Sequence, residues 1–253
     1  MAVTRADIVE GLRNLGINAG DILHIHSSLK SMGSVEGGAD TVIAAFMDVV
    51  GPKGLVSFPT HTWGTVNARQ PVFHEELSPS TVGLVSETFR KRPDAVRSLH
   101  PTHSVAAAGY HTLEFTAGHE LDDTPCGPHS PYRRLVEWKG KVVMLGINLE
   151  CMTLLHAFEE MAEAPWTFSP GRQLLYTVRR DGTIIKVPSR RHSWMPEVER
   201  DFPGLEPGLL RVNAMRIGQI GAASVRVVDA WKSSEHLVPA LKKDPGYFLK
   251  KPV

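Results

Sequence analysis

The sequence predicts an α/β fold in one compact domain. A central, mostly parallel sheet is flanked by helices, and an antiparallel excursion follows toward the C-terminus. Three observations carry this reading. Strand-like and helix-like segments succeed one another from the N-terminus to about Glu163. Residues 141–147 form a mainly apolar run, the texture of a strand covered on both faces. After Pro165 the texture changes: two strand-like segments, 174–180 and 184–187, flank Asp181 and Gly182, a strong hairpin turn.

The elements follow in order. Thr4 reads as an N-cap with Asp7 in the first turn. Ile8, Leu12 and Leu15 then recur at helical spacing, and Gly16 stops the helix. Residues 21–26 alternate in part, as a strand does. Residues 39–50 read as a helix with Val42, Ile43, Phe46, Val49 and Val50 on one side. The turn at 51–54 leads into a second strand, 55–58. A helix over 80–92 is ended by Pro93. Residues 104–108 are a strand of small residues, 131–138 a short helix, 141–147 the buried strand and 153–163 another helix. Residues 224–228 read as a last strand. A short helix follows over 234–241, its length limited by Pro239. No repeat, low-complexity tract or linker divides the chain, so residues 1–253 are read as a single domain.

The 28 basic and 27 acidic residues give a formal charge of +1, which leaves no basic excess for a nucleic-acid footprint. Short basic runs, Arg179 with Arg180 and Arg190 with Arg191 and His192, read as solvated surface. Two cysteines, Cys126 and Cys151, outline no disulfide framework and suit a reducing compartment. The first ten residues carry no apolar signal core, and no window approaches the ~20 apolar residues of a membrane span. The expectation is a cytoplasmic protein with no membrane or nucleic-acid partner.

Four constellations bear chemistry. His26, Ser27, Ser28, Leu29, Lys30 and Ser31 lie between a strand and a helix, with Gly33, Gly37 and Gly38 after them. Hydroxyls, backbone N–H groups and a lysine gathered before a helix can hold a phosphate, or can be a polar capping loop. Arg97, Ser98, His100, Pro101, His103 and Ser104 form a second group, and Cys126, His129 and Ser130 a third. Each holds two metal-type donors three residues apart. A zinc site needs three or four such ligands together, so rigid hydrogen-bonded loops are the preferred reading and no metal is expected. The fourth group is Thr153, His156, Glu159 and Glu160, just beyond the buried strand. Ligands of open α/β sheets bind past the carboxyl ends of strands. His156 and Glu159 are neighbours on a helix, and a carboxylate beside an imidazole makes a general-base pair, or a plain helix ion pair.

Taken together and in order, these stretches resemble the aminoglycoside 3-N-acetyltransferase family. The matching pieces are His26 to Leu29 with Gly33, Gly37 and Gly38; Arg97 and Ser98 with His100, Pro101 and Ser104; Ser130 and Pro131; Leu145 and Gly146; and Thr153 with His156 and Glu159. The resemblance is close over about residues 5–165. It implies an acyltransferase that uses acetyl-CoA as co-substrate and acts on an amine of an aminoglycoside or related molecule. It implies that Ser27 to Ser31, beside His26, lie against CoA, with Ser104 near its reactive end. It also implies that His156, with the carboxylate Glu159, takes the proton of the attacking amine, with Thr153 and Glu160 on the acceptor side. Antibiotic resistance is the associated role, and a homodimer is the assembly considered. The other large acetyltransferase superfamily uses Gln/Arg-x-x-Gly-x-Gly/Ala, which Arg216 to Gln219 fail at the fourth position, so that fold is not assigned.

Two departures stand out. Phe158 occupies a position where the family has a small residue. Residues 165–206 match poorly and are read as a divergent acceptor-side subregion. A polycationic acceptor needs carboxylates, for which Glu75, Glu76, Asp122, Asp123, Glu160 and Glu163 are available. Two other readings are a non-catalytic CoA-binding protein, with no amine-dependent thiol release, and a metal-assisted amidohydrolase, with bound zinc.

Overall fold

The computed structural model describes residues 2–194 and 198–250. In chain order its helices are α1 (Arg5–Asn14), α2 (Gly38–Val50), α3 (Leu84–Arg90), α4 (Thr112–Thr116), α5 (Pro131–Glu137), α6 (Leu154–Ala162), α7 (Glu206–Arg211) and α8 (Ala230–Lys243). The strands are β1 (Ile22–Ser27), β2 (Leu55–Pro59), β3 (Val72–His74), β4 (Val96–Arg97), β5 (Val105–Gly109), β6 (Lys141–Leu145), β7 (Gln173–Val178), β8 (Ile184–Ser189), β9 (Met215–Ile220) and β10 (Ala223–Asp229).

Seven strands form the main sheet in the order β4-β5-β2-β1-β6-β10-β9. Its centre is parallel, with β1 between β2 and β6. The outer strands pair antiparallel on both sides. The expected excursion is a second sheet, β3-β7-β8, in which β7 and β8 make the hairpin around Asp181 and Gly182.

The sheet separates two apolar cores. On β1, Leu23 and Ile25 join α1, α2 and α3 in the first core. The alternate residues, His24 and His26, point the other way, where His24 meets Tyr132 of α5 edge-on at 5.4 Å. That second core also holds Leu154, Leu155, Ala157 and Phe158 of α6. Phe158 is fully buried, and truncating such a ring costs about 3–5 kcal/mol.

Local chemistry explains the boundaries. Thr4 and Asp7 form a reciprocal capping box at α1, with Thr4 N–H donating to Asp7 Oδ2 at 2.8 Å. The helix expected from residue 80 begins only at Leu84. The Ser80 N–H is bound to Glu87 Oε2 and the Thr81 N–H to the His61 carbonyl, so that stretch is a loop. The last helix is longer than expected, because Asp229 caps it at Lys232 N and Pro239 lies inside it. Pro239 and Glu235 are both exposed, so the carbonyl that loses its donor is left on the solvent side. Residues 216–219, weighed above as a cofactor motif, form the edge strand β9. Among the described residues, no helix is long and apolar enough to cross a membrane.

Candidate active site

The three parallel strands end on one side, and the site is built there. A cavity of about 370 Å³ is lined by His26 and Ser27 at the end of β1 and by Pro59 and His61 at the end of β2. Ile147 beyond β6, and Thr153 and His156 at the start of α6, complete that wall. This is the crevice that α/β sheets open for ligands. A second pocket, of about 490 Å³, is lined by Ser27, Ser28, Leu29, Lys30, the start of α2 at Gly38, and Gly83 to Val85. Ser27 lies in the walls of both. Gly146 makes the close approach: its φ is 72°, and a Cβ there would sit 2.6 Å from that of Ser31.

His156 is one turn from Glu159, and its Nδ1 lies 2.8 Å from Glu159 Oε2. The side chain of His156 keeps 15% exposure, whereas that of Glu159 has none. Burial alone would raise the Glu159 pKa, but His156 and Arg200 outweigh it and hold the carboxyl below its usual value. Arg200 donates to Glu159 Oε1 from Nε at 2.6 Å and to Oε2 from its second terminal nitrogen at 3.1 Å. One face of the His156 ring stacks on His192, with centroids 4.3 Å apart and planes at 21°. The His192 Nε2 is 2.8 Å from Glu160 Oε1.

The remaining expected site residues fall in several places. His26 borders the cavity, but its Nε2 is buried without a partner, and burial lowers its pKa to about 3. Ser28 and Lys30 border the larger pocket. The Ser28 N–H is already given to the Leu145 carbonyl at 2.9 Å, so it is not a free donor for a ligand. Ser31 lines neither space and donates to Ser28 Oγ at 2.8 Å. Ser104 is fully buried away from both. Its hydroxyl donates to the Thr60 carbonyl at 2.9 Å and accepts from Arg97 Nε at 3.0 Å. Burial lowers the Arg97 pKa to about 9.

Glu160 lines neither of the two pockets. Its oxygens are taken by Thr124 Oγ1 at 2.6 Å, Cys126 N at 3.0 Å and His192. Burial raises its pKa to about 7. Glu75 faces Arg180, Asp122 faces His129, and Asp123 faces Arg172. The carboxylate at the cavity wall is instead Glu150, beside Cys151, Trp63 and Trp194.

The metal-type pairs also rearrange. His129 binds Asp122 at 2.8 Å, and the His100 ring stacks on His119. The donors that do converge among the described residues are Cys126, Glu160 and His192, all within 4.8 Å of one another. Sequence reasoning missed His192 and Arg200. His192 belongs to a run that reads as solvated surface, yet it is buried. Arg191 beside it donates to the carbonyls of Trp63 and Val66.

The sequence model of the family described as aminoglycoside 3-N-acetyltransferase matches residues 25–242. Aminoglycoside N(3)-acetyltransferase VII of Streptomyces paromomycinus is 39% identical over 180 residues, 64% of this chain and 62% of that relative. The chain therefore matches less than two thirds of that relative's length. Aminoglycoside N(3)-acetyltransferase VIII of Streptomyces fradiae is 33% identical over 254 residues, covering 90% of this chain and 88% of its own. The solved structure of AAC-IIIb in a binary complex with CoASH superimposes with a TM-score of 0.83 at 30% identity and full coverage of both chains. The chain belongs to the aminoglycoside 3-N-acetyltransferase family.

Proposed function

We propose that this chain transfers the acetyl group of acetyl-CoA to an amino group of an aminoglycoside or a related amine, with His156 as the general base. The carrying observation is the His156–Glu159 pair on the wall of a cavity that shares Ser27 with the Ser28–Lys30 pocket. The larger pocket suits CoA, because Lys30 brings a cation to its wall and α2 begins there without a side-chain cap. The smaller cavity takes the acceptor, with Thr153 and Glu150 as polar contacts and Trp63 and Trp194 as flat faces for a sugar ring. Its place is the cytoplasm, where acetyl-CoA is available.

A free alkyl amine is mostly protonated near neutral pH and is then no nucleophile. The neutral amine attacks the thioester carbonyl while its proton passes to His156. The tetrahedral adduct collapses, the carbon–sulfur bond breaks, and the thiolate leaves and takes a proton to become CoASH. Support for Glu159 as the orienting carboxylate comes from its complete burial and its bond to His156 Nδ1, which leaves Nε2 as the basic nitrogen.

The test is thiol release from acetyl-CoA across a panel of 2-deoxystreptamine aminoglycosides, other amino sugars and simple amines. Amine-dependent release, with the acetylated product found by mass spectrometry, is expected for at least one amino sugar. Release that no amine accelerates would overturn the reading.

A further inference from the structure

We propose that Arg200 is a positioning residue for the base: it clamps the Glu159 carboxylate so that His156 is held with its proton on Nδ1 and its Nε2 free. The proposal rests on the reading of His156 as general base and deepens it.

The geometry is specific. Glu159 has no exposed surface, and among the described residues its two oxygens meet two donor groups, the Nδ1 of His156 and the fork of Arg200. A side-on, two-point bond fixes the plane of a carboxylate as well as its charge, which an ammonium cannot do. With the plane fixed, Oε2 faces His156 at 2.8 Å, and the imidazole has one tautomer that satisfies it. Arg200 is itself fixed on three further sides. It donates to the Ser193 carbonyl at 2.7 Å, lies 5.2 Å from the Trp166 ring centroid, and its backbone bridges to Leu249. Its side chain is 10% exposed, so water competes little for the guanidinium. Arg200 does not line the cavity, and the carboxylate it holds is the partner of His156.

The consequence for the sequence is that the segment 165–206 is more than an acceptor-side surface. It supplies Arg200 behind the base and His192 on its face. Exchanging the segment with that of a relative should therefore change turnover together with amine preference.

The test uses Arg200→Ala and Arg200→Lys in the full chain, with folding checked by circular dichroism. Nitrogen-15 NMR of the imidazoles, with the His156 signals assigned by their loss in His156→Gln, reads the tautomer without any acceptor. Wild type should show one tautomer, protonated on Nδ1, and Arg200→Ala a mixture. Turnover with the best acceptor should fall about 10- to 100-fold, as when an outer partner of a functional histidine is lost, with acetyl-CoA affinity nearly unchanged. Methylguanidinium should restore part of the rate in Arg200→Ala, and Arg200→Lys should fall between. A folded Arg200→Ala that keeps the single tautomer, or that loses rate without rescue by methylguanidinium, overturns the proposal. If wild type acetylates no amine, the functional reading fails, while the NMR result still decides the role of Arg200.

Discussion

The imidazole of His156 lies flat against that of His192, 4.3 Å between centroids, and His192 in turn is bonded to the buried Glu160. Two histidine–carboxylate pairs thus stack face to face, His156 with Glu159 and His192 with Glu160. One is open to the cavity and the other is enclosed. The stack restrains rotation of the His156 ring. His192→Phe keeps a flat ring in place and should hold turnover within about tenfold of wild type, while His192→Ala should lose more. Steady-state rates on both variants check this. Equal losses in the two would mean that the bond to Glu160, and not the stacked face, is what matters.

The buried histidines set an acid limit. His24, His26, His61, His100, His119 and His192 all have pKa values pushed below the usual value, first by burial and in most cases also by neighbouring charges. A group depressed in the folded state gives stability that is whole above its unfolded pKa of about 6.5 and is lost as pH falls below it, by up to about 1.4 kcal/mol per pH unit for each group. Glu160 acts in the opposite sense. Its raised pKa gives stability below about pH 4.5 that is lost as pH rises toward 7, roughly 3 kcal/mol in all. The histidines outnumber it, so the urea midpoint should drop steeply between pH 7 and pH 5. Glu160→Gln should make that drop steeper, because the opposing group is gone. A midpoint flat across this range would contradict the account.

Lys30 and Ser104 separate two roles that the sequence placed together at the cofactor. Lys30 lines the larger pocket, and Lys30→Glu should weaken CoA binding about tenfold, roughly 1.4 kcal/mol, with little change in melting temperature. Ser104 holds Thr60 and Arg97, and Ser104→Ala should cost about 1–3 kcal/mol of stability with CoA affinity nearly unchanged. Calorimetry and denaturant melts on both variants decide the assignment. The reverse pattern would return Ser104 to the cofactor.

Activity should survive exhaustive chelation. Among the described residues, Cys126, Glu160 and His192 are the donors that converge, and in this arrangement Glu160 is already hydrogen-bonded by Thr124, Cys126 and His192. The proposed base pair, His156 and Glu159, includes none of them. Loss of turnover on chelation, with stoichiometric zinc restoring it and Cys126→Ser abolishing that restoration, would show the opposite.

Much of this was legible locally. The helical spacing of His156 and Glu159 fixes their contact, and the apolar run at 141–147 marks the central strand because burial on both faces leaves no alternation. Strand direction was not legible. The small-residue strand β5 reads the same in either orientation, and pairing is decided by residues far away in the chain. The three-residue β3 is too short to carry a period, and β9 places Gly218 where a strand pattern would show a side chain. Arg200 and His192 were hidden for a different reason. Charged residues near a divergent loop are usually solvated, and their burial depends on Glu159 and Glu160 arriving from another element.

The central claim is that His156 takes the amine proton, and His156→Gln tests it most directly. Glutamine keeps polarity and rough size but cannot accept that proton. Turnover with the best acceptor should fall about 10²–10⁴-fold, the usual contribution of a general base, while acetyl-CoA affinity stays close to wild type. Near-normal turnover in a folded His156→Gln would place the base elsewhere.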